Sequence, residues 1–231
     1  EKIVEYAAEH GFHGIELRSA EGEILPPDAD QSRRRKVRAA FKEAGREISC
    51  LMGYTHLAAP EADEREEQVE LTRRYIELAD EVECPVVRVF GGVPEGVGLE
   101  EAIDLLAEAL GQVAPTAEDA GVRLALETHD AWCRGRNLQS VLGKVHSPAV
   151  GACWDVGNAF FVESPTETAE ALGDRIYHVH FKDAVQTEEG QHSTLPGEGE
   201  VDLATALRCL QELDYSGYLS FEWEKKWEPE L

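Results

Sequence analysis

The chain has 231 residues, with 22 Lys and Arg against 46 Asp and Glu, a formal net charge of −24 with the eight histidines neutral. Its 42% hydrophobic and 29% charged content is that of a globular protein, and its length suits one domain of about 200–250 residues with a sizeable core. Such acidity excludes nucleic acid, whose binding rests on clustered Lys and Arg, and an anionic membrane surface; it suits a protein that meets small molecules or metal ions.

The N-terminal EKIVEYAAEHG is a charged amphipathic helix rather than a signal peptide. A repeated unit then runs to the end of the chain: a short apolar stretch, a polar loop, an amphipathic helix. The predicted strands are HGIELR (13–18), EISCLMG (47–53), PVVRVF (85–90), VRLALE (122–127), VGACWD (150–155), IYHVHF (176–181) and YLSFEW (218–223). Most are nearly continuous apolar runs, as expected of parallel strands covered on both faces. Helices are predicted between them over 32–44, 62–82, 100–119, 137–146, 166–173 and 202–213. Ser32, Asn137 and Asp202 suit their N-caps, and Gly45, Gly121 and Gly173 their stops. Pro115 is expected to kink or split the helix it falls in.

Alternating βα units imply a parallel sheet with right-handed crossovers. No GxGxxG follows the first strand, and polar residues recur at the C-terminal ends of many strands rather than at one crevice. Both favour a (β/α)8 TIM barrel over a doubly wound sheet. Only seven strands are visible, so the expectation is a single barrel over 1–231 whose first strand and last helix are missing from the chain. The cysteines (Cys50, Cys84, Cys133, Cys153, Cys209) form no CxxC pair, which points to a reducing cytoplasm. No run of about 18 apolar residues exists to cross a membrane, and a homo-oligomer is compatible with the sequence.

Four acidic or imidazole groups stand where predicted strands end: Glu127, Asp155, His180 and Glu222. In a parallel barrel all four project into one C-terminal mouth. Any one of them alone reads equally as a cap or a surface acid. Four together, each after an apolar run, read as a site, because burying an unpaired carboxylate is costly. Three carboxylates and an imidazole suit Mn²⁺, Mg²⁺, Co²⁺ or Zn²⁺ and are too poor in sulfur for a structural zinc site. His178 shares the face of His180; His180, nearer the mouth, is the better ligand, and His178 supports or fills. Around them, Tyr54, His56, Arg88, His129, Asn158 and Lys182 are candidates to touch substrate. Arg88 either pairs with Glu16 or Glu127 or holds substrate oxygens. Arg134 and Arg136, with Lys182, are further anion-binding candidates. Trp223 and Trp227 either line the pocket or pack in the core. The Gly-rich QHSTLPGEGEVD (191–202) lacks GK[ST], so it is no P-loop and reads as a wall or lid.

LALETHD (124–130), CWDVGN (153–158), YHVHFKD (177–183), LPGEGEVD and YSGYLSFEWEKKW (215–227) resemble the xylose isomerase-like TIM-barrel superfamily of sugar phosphate isomerases and epimerases. The resemblance implies Glu127, Asp155, His180 and Glu222 as ligands of one divalent metal ion. It also implies Glu127 and Glu222 as an acid/base pair acting on a small polyhydroxy carbonyl compound through an enediolate. Two positions depart from the epimerase branch, which has His where this chain has Asn158 and Arg where it has Gln186; both contact sugar there. A dehydratase of inosose or dehydroshikimate type, or a relative that binds sugar or metal without turnover, are the rival readings.

Overall fold

The computed structural model describes residues 2–93, 96–188, 190–223, 225 and 228. After a first helix, α1 (Lys2–Glu9), the chain runs through β1 (Gly14–Ser19), α2 (Gln31–Ala44), β2 (Glu47–Gly53), α3 (Ala62–Glu81), β3 (Val86–Val89) and α4 (Leu99–Ala120). It continues with β4 (Arg123–Glu127), α5 (Gly135–Val145), β5 (Val150–Asp155), α6 (Val156–Phe160), α7 (Pro165–Leu172) and β6 (Ile176–Phe181). A hairpin of β7 (Asp183–Thr187) and β8 (Gly190–Thr194) follows, then α8 (Leu203–Glu212) and β9 (Leu219–Phe221). Among the described residues seven strands pair in parallel, in the order β1-β2-β3-β4-β5-β6-β9. They make a nearly closed barrel with helices around it, the TIM-barrel arrangement.

Side chains alternate along each strand. On β4, Leu124 and Leu126 face outward into the main core, where they meet Leu106, Leu110 and Val113 of α4. The inward residues stack in layers. Cys50, Val86, Ala125 and Cys153 form a dry floor with Tyr177 beside it. Burial pushes the Cys153 thiol up to about 12, so the floor carries no charge. Two residues further along the same strands, toward the mouth, stand Met52, Arg88, Glu127 and Asp155.

The seam between β9 and β1 carries no ladder among the described residues; side chains fasten it instead. Ser220 Oγ on β9 donates to Glu16 Oε2 on β1 at 2.6 Å. The Tyr218 ring lies so close to β1 that a Cβ at Gly14 would stand 2.9 Å from it.

Several expected boundaries shift. Asp30, not Ser32, caps α2, its carboxylate accepting from Arg33 N at 2.8 Å. Helix α5 starts at Gly135 rather than after Asn137, because the Gly135 N–H is taken by the buried Glu163 Oε1 at 2.6 Å. Asp202 caps α8 as expected, and Gly45 and Gly121 end their helices in the left-handed region. Pro115 does not split α4, which is one helix from Leu99 to Ala120. Pro115 sits on the solvent face while Leu110, Val113, Ala114 and Ala117 bury the other face on both sides of it. That packing outweighs the roughly 3 kcal/mol an interior proline costs.

Candidate metal centre

Register brings the four ligand candidates together. Asp155 on β5 is the lateral partner of His180 on β6. Glu127 ends β4, and Thr128 just beyond it locks the two strand ends: its Oγ1 donates to Asp155 O at 3.1 Å and accepts from Asp155 N at 2.8 Å. Ser220 of β9 pairs with His180, and Glu222, two residues on, points the same way. One ligand atom from each of Glu127, Asp155, His180 and Glu222 lies within 4.8 Å of all the others. His180 Nδ1 is 3.3 Å from Glu127 Oε1, 3.7 Å from Glu222 Oε2 and 3.8 Å from Asp155 Oδ2.

A divalent ion fits this arrangement. His180 Nδ1 is buried without a hydrogen-bond partner, which native interiors rarely tolerate, and the buried Asp155 Oδ2 has the Lys182 ammonium beside it at 3.0 Å. Both aim into the same space, and the donor set of three carboxylates and one imidazole is that of an Mg²⁺, Mn²⁺, Co²⁺ or Zn²⁺ site. The other Asp155 oxygen, Oδ1, caps α6 by accepting from Asn158 N at 2.7 Å. Asp155 is thereby oriented from behind.

Glu16 is a member of this centre that the sequence reading left out of the ligand set. It ends in the barrel interior of β1, with Oε1 3.1 Å from His180 Nε2 and Oε2 3.1 Å from His178 Nε2. Glu16, His178 and His180 also bring one potential ligand atom each within 4.8 Å of the others, but their separations are those of hydrogen bonds. They have the arrangement of a carboxylate–histidine buttress that fixes a ligand's tautomer: with Nε2–H donated to Glu16, His180 would offer Nδ1 to an ion. Although burial opposes its charge, the imidazoles of His180 and His178 hold the Glu16 carboxyl well below its ordinary value. Its signal in the sequence was the one that selected the others, a lone acid in an apolar strand.

Arg88 pairs with Glu127, Nε to Oε2 at 2.9 Å, both fully enclosed. Its Nη1 donates to Gly53 O at 2.9 Å, and the guanidinium lies 3.8 Å from the Phe90 ring centroid. Against the cost of burial, Arg88 and then His180 hold the Glu127 carboxyl down at about 2. Lys182 Nζ stands 3.0 Å from Asp155 Oδ2 and 3.1 Å from Glu222 Oε2. Gly157 makes room for this lysine, since a Cβ there would meet Lys182 Cγ at 2.7 Å.

These groups line or border a cavity of about 510 Å³ at the mouth. Tyr54, Arg88, His129, Lys182 and Glu222 line it, together with Trp223. His56 does not: it is exposed and lines a separate recess with Gly92 and Asp130. Asn158 is not among the lining residues either. Arg134 and Arg136 are exposed on and beside α5, away from the cavity. Trp227 lies outside the described residues. The 191–202 segment is half strand: β8 pairs antiparallel with β7, which no sequence signal announced. Its remainder is anchored by the buried Asp183, which accepts from the N–H groups of Gly197, Gly199 and Val201.

A sequence profile of the xylose isomerase-like TIM barrel matches residues 4–231. The chain belongs to this family. Its relatives include an uncharacterized protein, MJ1311, of Methanocaldococcus jannaschii, 31% identical over 67% of this chain and 56% of that one. The chain thus spans little more than half of that relative's length. A fructoselysine 3-epimerase of Shigella flexneri is 22% identical over 94% of this chain and 82% of its own. Dehydratases also stand among the relatives. The crystal structure of a D-tagatose 3-epimerase-like protein superposes with a TM-score of 0.81 at 26% identity, covering 94% of this chain and 84% of that one. No helix among the described residues is long and apolar enough to cross a membrane.

An ion entering this centre must displace protons. Burial pushes the Asp155 carboxyl up to about 7, Glu222 and Glu127 adding to the push and Lys182 opposing it. Burial alone would lower the proton affinity of His180, but the carboxylates of Glu16, Glu127 and Glu222 raise it well above the ordinary value. Both ligands bind metal only when deprotonated. Metal affinity is therefore expected to rise steeply with pH up to and beyond 7. Near pH 6, binding should release about one to two protons per ion, read by Mn²⁺ calorimetry in buffers of different ionisation heat. Binding without proton release would contradict this account of the ligands.

Proposed function

We propose that the protein is a divalent-metal-dependent isomerase or epimerase of a small polyhydroxy carbonyl compound, working in the cytoplasm, where its five thiols stay free. One observation carries the reading: Glu127 and Glu222, from well-separated strands, converge on a single imidazole nitrogen at the wall of one cavity. A divalent ion held by Glu127, Asp155, His180 and Glu222 supplies Lewis-acid polarisation of a carbonyl and its neighbouring hydroxyl. The protein's own groups do the rest. Arg88 keeps Glu127 ionised and able to accept the proton on the carbon next to the carbonyl. Glu222, the more open of the two at 20% side-chain exposure, returns a proton to that carbon or its neighbour. Lys182 holds Glu222 and Asp155 in place and offers a donor to a substrate oxygen. Tyr54, His129 and Trp223 enclose the ligand and exclude water.

A dehydratase is the second reading. Lys182 favours it, because an ammonium beside Glu222 is placed to protonate a departing β-hydroxyl, which then leaves as water once the α-proton has been taken. NMR of the metal-loaded protein in D₂O separates the two: a product of unchanged formula with deuterium at the α-carbon marks an isomerase or epimerase, and loss of water marks the dehydratase. Glu222→Gln should slow product formation by about 10²–10⁴-fold. Undiminished product formation by metal-loaded Glu222→Gln would remove this residue from the chemistry. Tight ligand binding with no exchange in the parent would make the protein a binder rather than an enzyme.

A further inference from the structure

The geometry points to a substrate that carries a carboxylate at the end remote from its carbonyl, with Arg18 as the residue that selects it. This inference rests on the reading of the site proposed above. Its first support is the distribution of charge. Within the centre four carboxylates (Glu16, Glu127, Asp155 and Glu222) face two cations, Arg88 and Lys182, each already paired. A divalent ion brings that group to balance. Arg18 is a third cation on the cavity wall; its ion-pair partner Glu23 stands outside that group.

Its second support is placement. Arg18 follows Glu16 by two residues on β1, so it shares the inward face and stands about 7 Å nearer the mouth. Its Nε donates to the Tyr54 hydroxyl at 3.1 Å, which fixes the plane of the guanidinium against another residue of the wall. Nη2 meets the Glu23 carboxylate at 2.7 Å, both side chains about a quarter exposed, at 27% and 26%. A carboxylate of the protein thus already rests on this fork at the rim. An exposed pair of this kind contributes little to stability, so a ligand carboxylate can exchange for Glu23 at small cost and gain the two-pronged geometry for which arginine is suited.

The rest of the wall narrows the ligand class. Among the described residues, Met52, Tyr54, Phe90, Phe221 and Trp223 supply much of the rest of the wall. One fork matches the single charge of a carboxylate better than a phosphate dianion, which draws several donors. A cavity of about 510 Å³ lined by Arg18, Glu127 and Glu222 has the volume for a six-carbon compound. With a net charge of −24 the protein repels anions at long range, so an anionic substrate requires a local cation of this sort.

The test is calorimetric titration of the Mn²⁺-loaded full chain with D-fructose, with D-fructuronate, which replaces its terminal hydroxymethyl by a carboxylate, and with D-fructose 6-phosphate. The parent should bind the uronate at least about tenfold more tightly than the ketose. Arg18→Gln should bring that ratio to about one, Arg18→Lys should keep part of it, and Glu23→Gln, which removes the competing carboxylate, should increase it. Equal binding of ketose and uronate by the parent, a ratio that survives Arg18→Gln, or a preference confined to the phosphate ester would each overturn the inference alone. Binding of none of the three would overturn the underlying reading of the site and this inference with it. A merely structural Arg18–Glu23 pair predicts that Glu23→Gln weakens all ligands alike.

Discussion

An Arg88→Met protein should be less stable than its parent by about 3–5 kcal/mol in the metal-free state, because it leaves a buried carboxylate without its counter-ion. Methionine replaces the aliphatic stem and part of the contact with Phe90, so little of the loss is packing. The Gly53 carbonyl also loses its donor. The effect has a characteristic pH dependence. In the parent, Glu127 sits at about 2, below its ordinary value. The stability it contributes is therefore present above the ordinary carboxylate range and lost as pH falls through 2. In the variant, burial acts unopposed by the guanidinium and raises Glu127 instead, so ionising it destabilises the fold. The difference between the two proteins should be smallest near pH 2 and should grow as pH rises through the carboxylate range. Urea titrations across that range, with and without Mn²⁺, give the measurement. Bound ion restores part of the missing positive charge, so the gap should narrow when the metal is present. A gap that ignores both pH and metal would mean that Arg88 acts only as a space-filling residue.

Glu16→Gln should weaken divalent-ion binding by about 10–100-fold, although Glu16 is not itself one of the four ligands. Glu16 accepts from both His178 and His180, and from Ser220 as well. A glutamine has one carbonyl for these donors and turns its NH₂ toward one of the imidazoles. Either His178 or His180 must then change tautomer or rotate, and for His180 that changes the nitrogen offered to the ion. The same substitution removes a carboxylate that raises the proton affinity of His180. Affinity at high pH should fall, while the pH at which binding begins should move downward. A residue that served only to hold the barrel together would lower stability without moving that pH. Mn²⁺ titrations followed by EPR over a range of pH give both quantities, and unchanged affinity would remove Glu16 from the centre.

Most of the architecture was legible because long, strongly patterned elements announce themselves. The apolar runs that carry Glu127, Asp155 and His180 are buried parallel strands, with Glu127 and Asp155 closing theirs and His180 one residue short of the end of its own. The hairpin of β7 and β8 was not legible. DAVQT and GQHST carry no apolar alternation, and it is the buried Asp183, gathering backbone N–H groups from the segment that follows, that orders this region. Cap positions moved for a similar reason: the Glu163 carboxylate, distant in sequence, decides where α5 begins. Pair identity was likewise out of reach. That Arg88 needs an anion follows from its place in a strand, but the choice of Glu127 over Glu16 follows from two histidines having already claimed Glu16.

The seam between β9 and β1 has a consequence for assembly. Glu16, near the start of the sequence, meets Ser220 near its end, and Glu222 follows directly. A chain emerging from the ribosome would carry Glu127, Asp155 and His180 well before it carried Glu222 or the strand that holds the buttress in place. Because domains fold as units once their elements are available, and metal affinity requires the assembled site, an ion held by Glu127, Asp155, His180 and Glu222 would be captured only after β9 has docked beside β6.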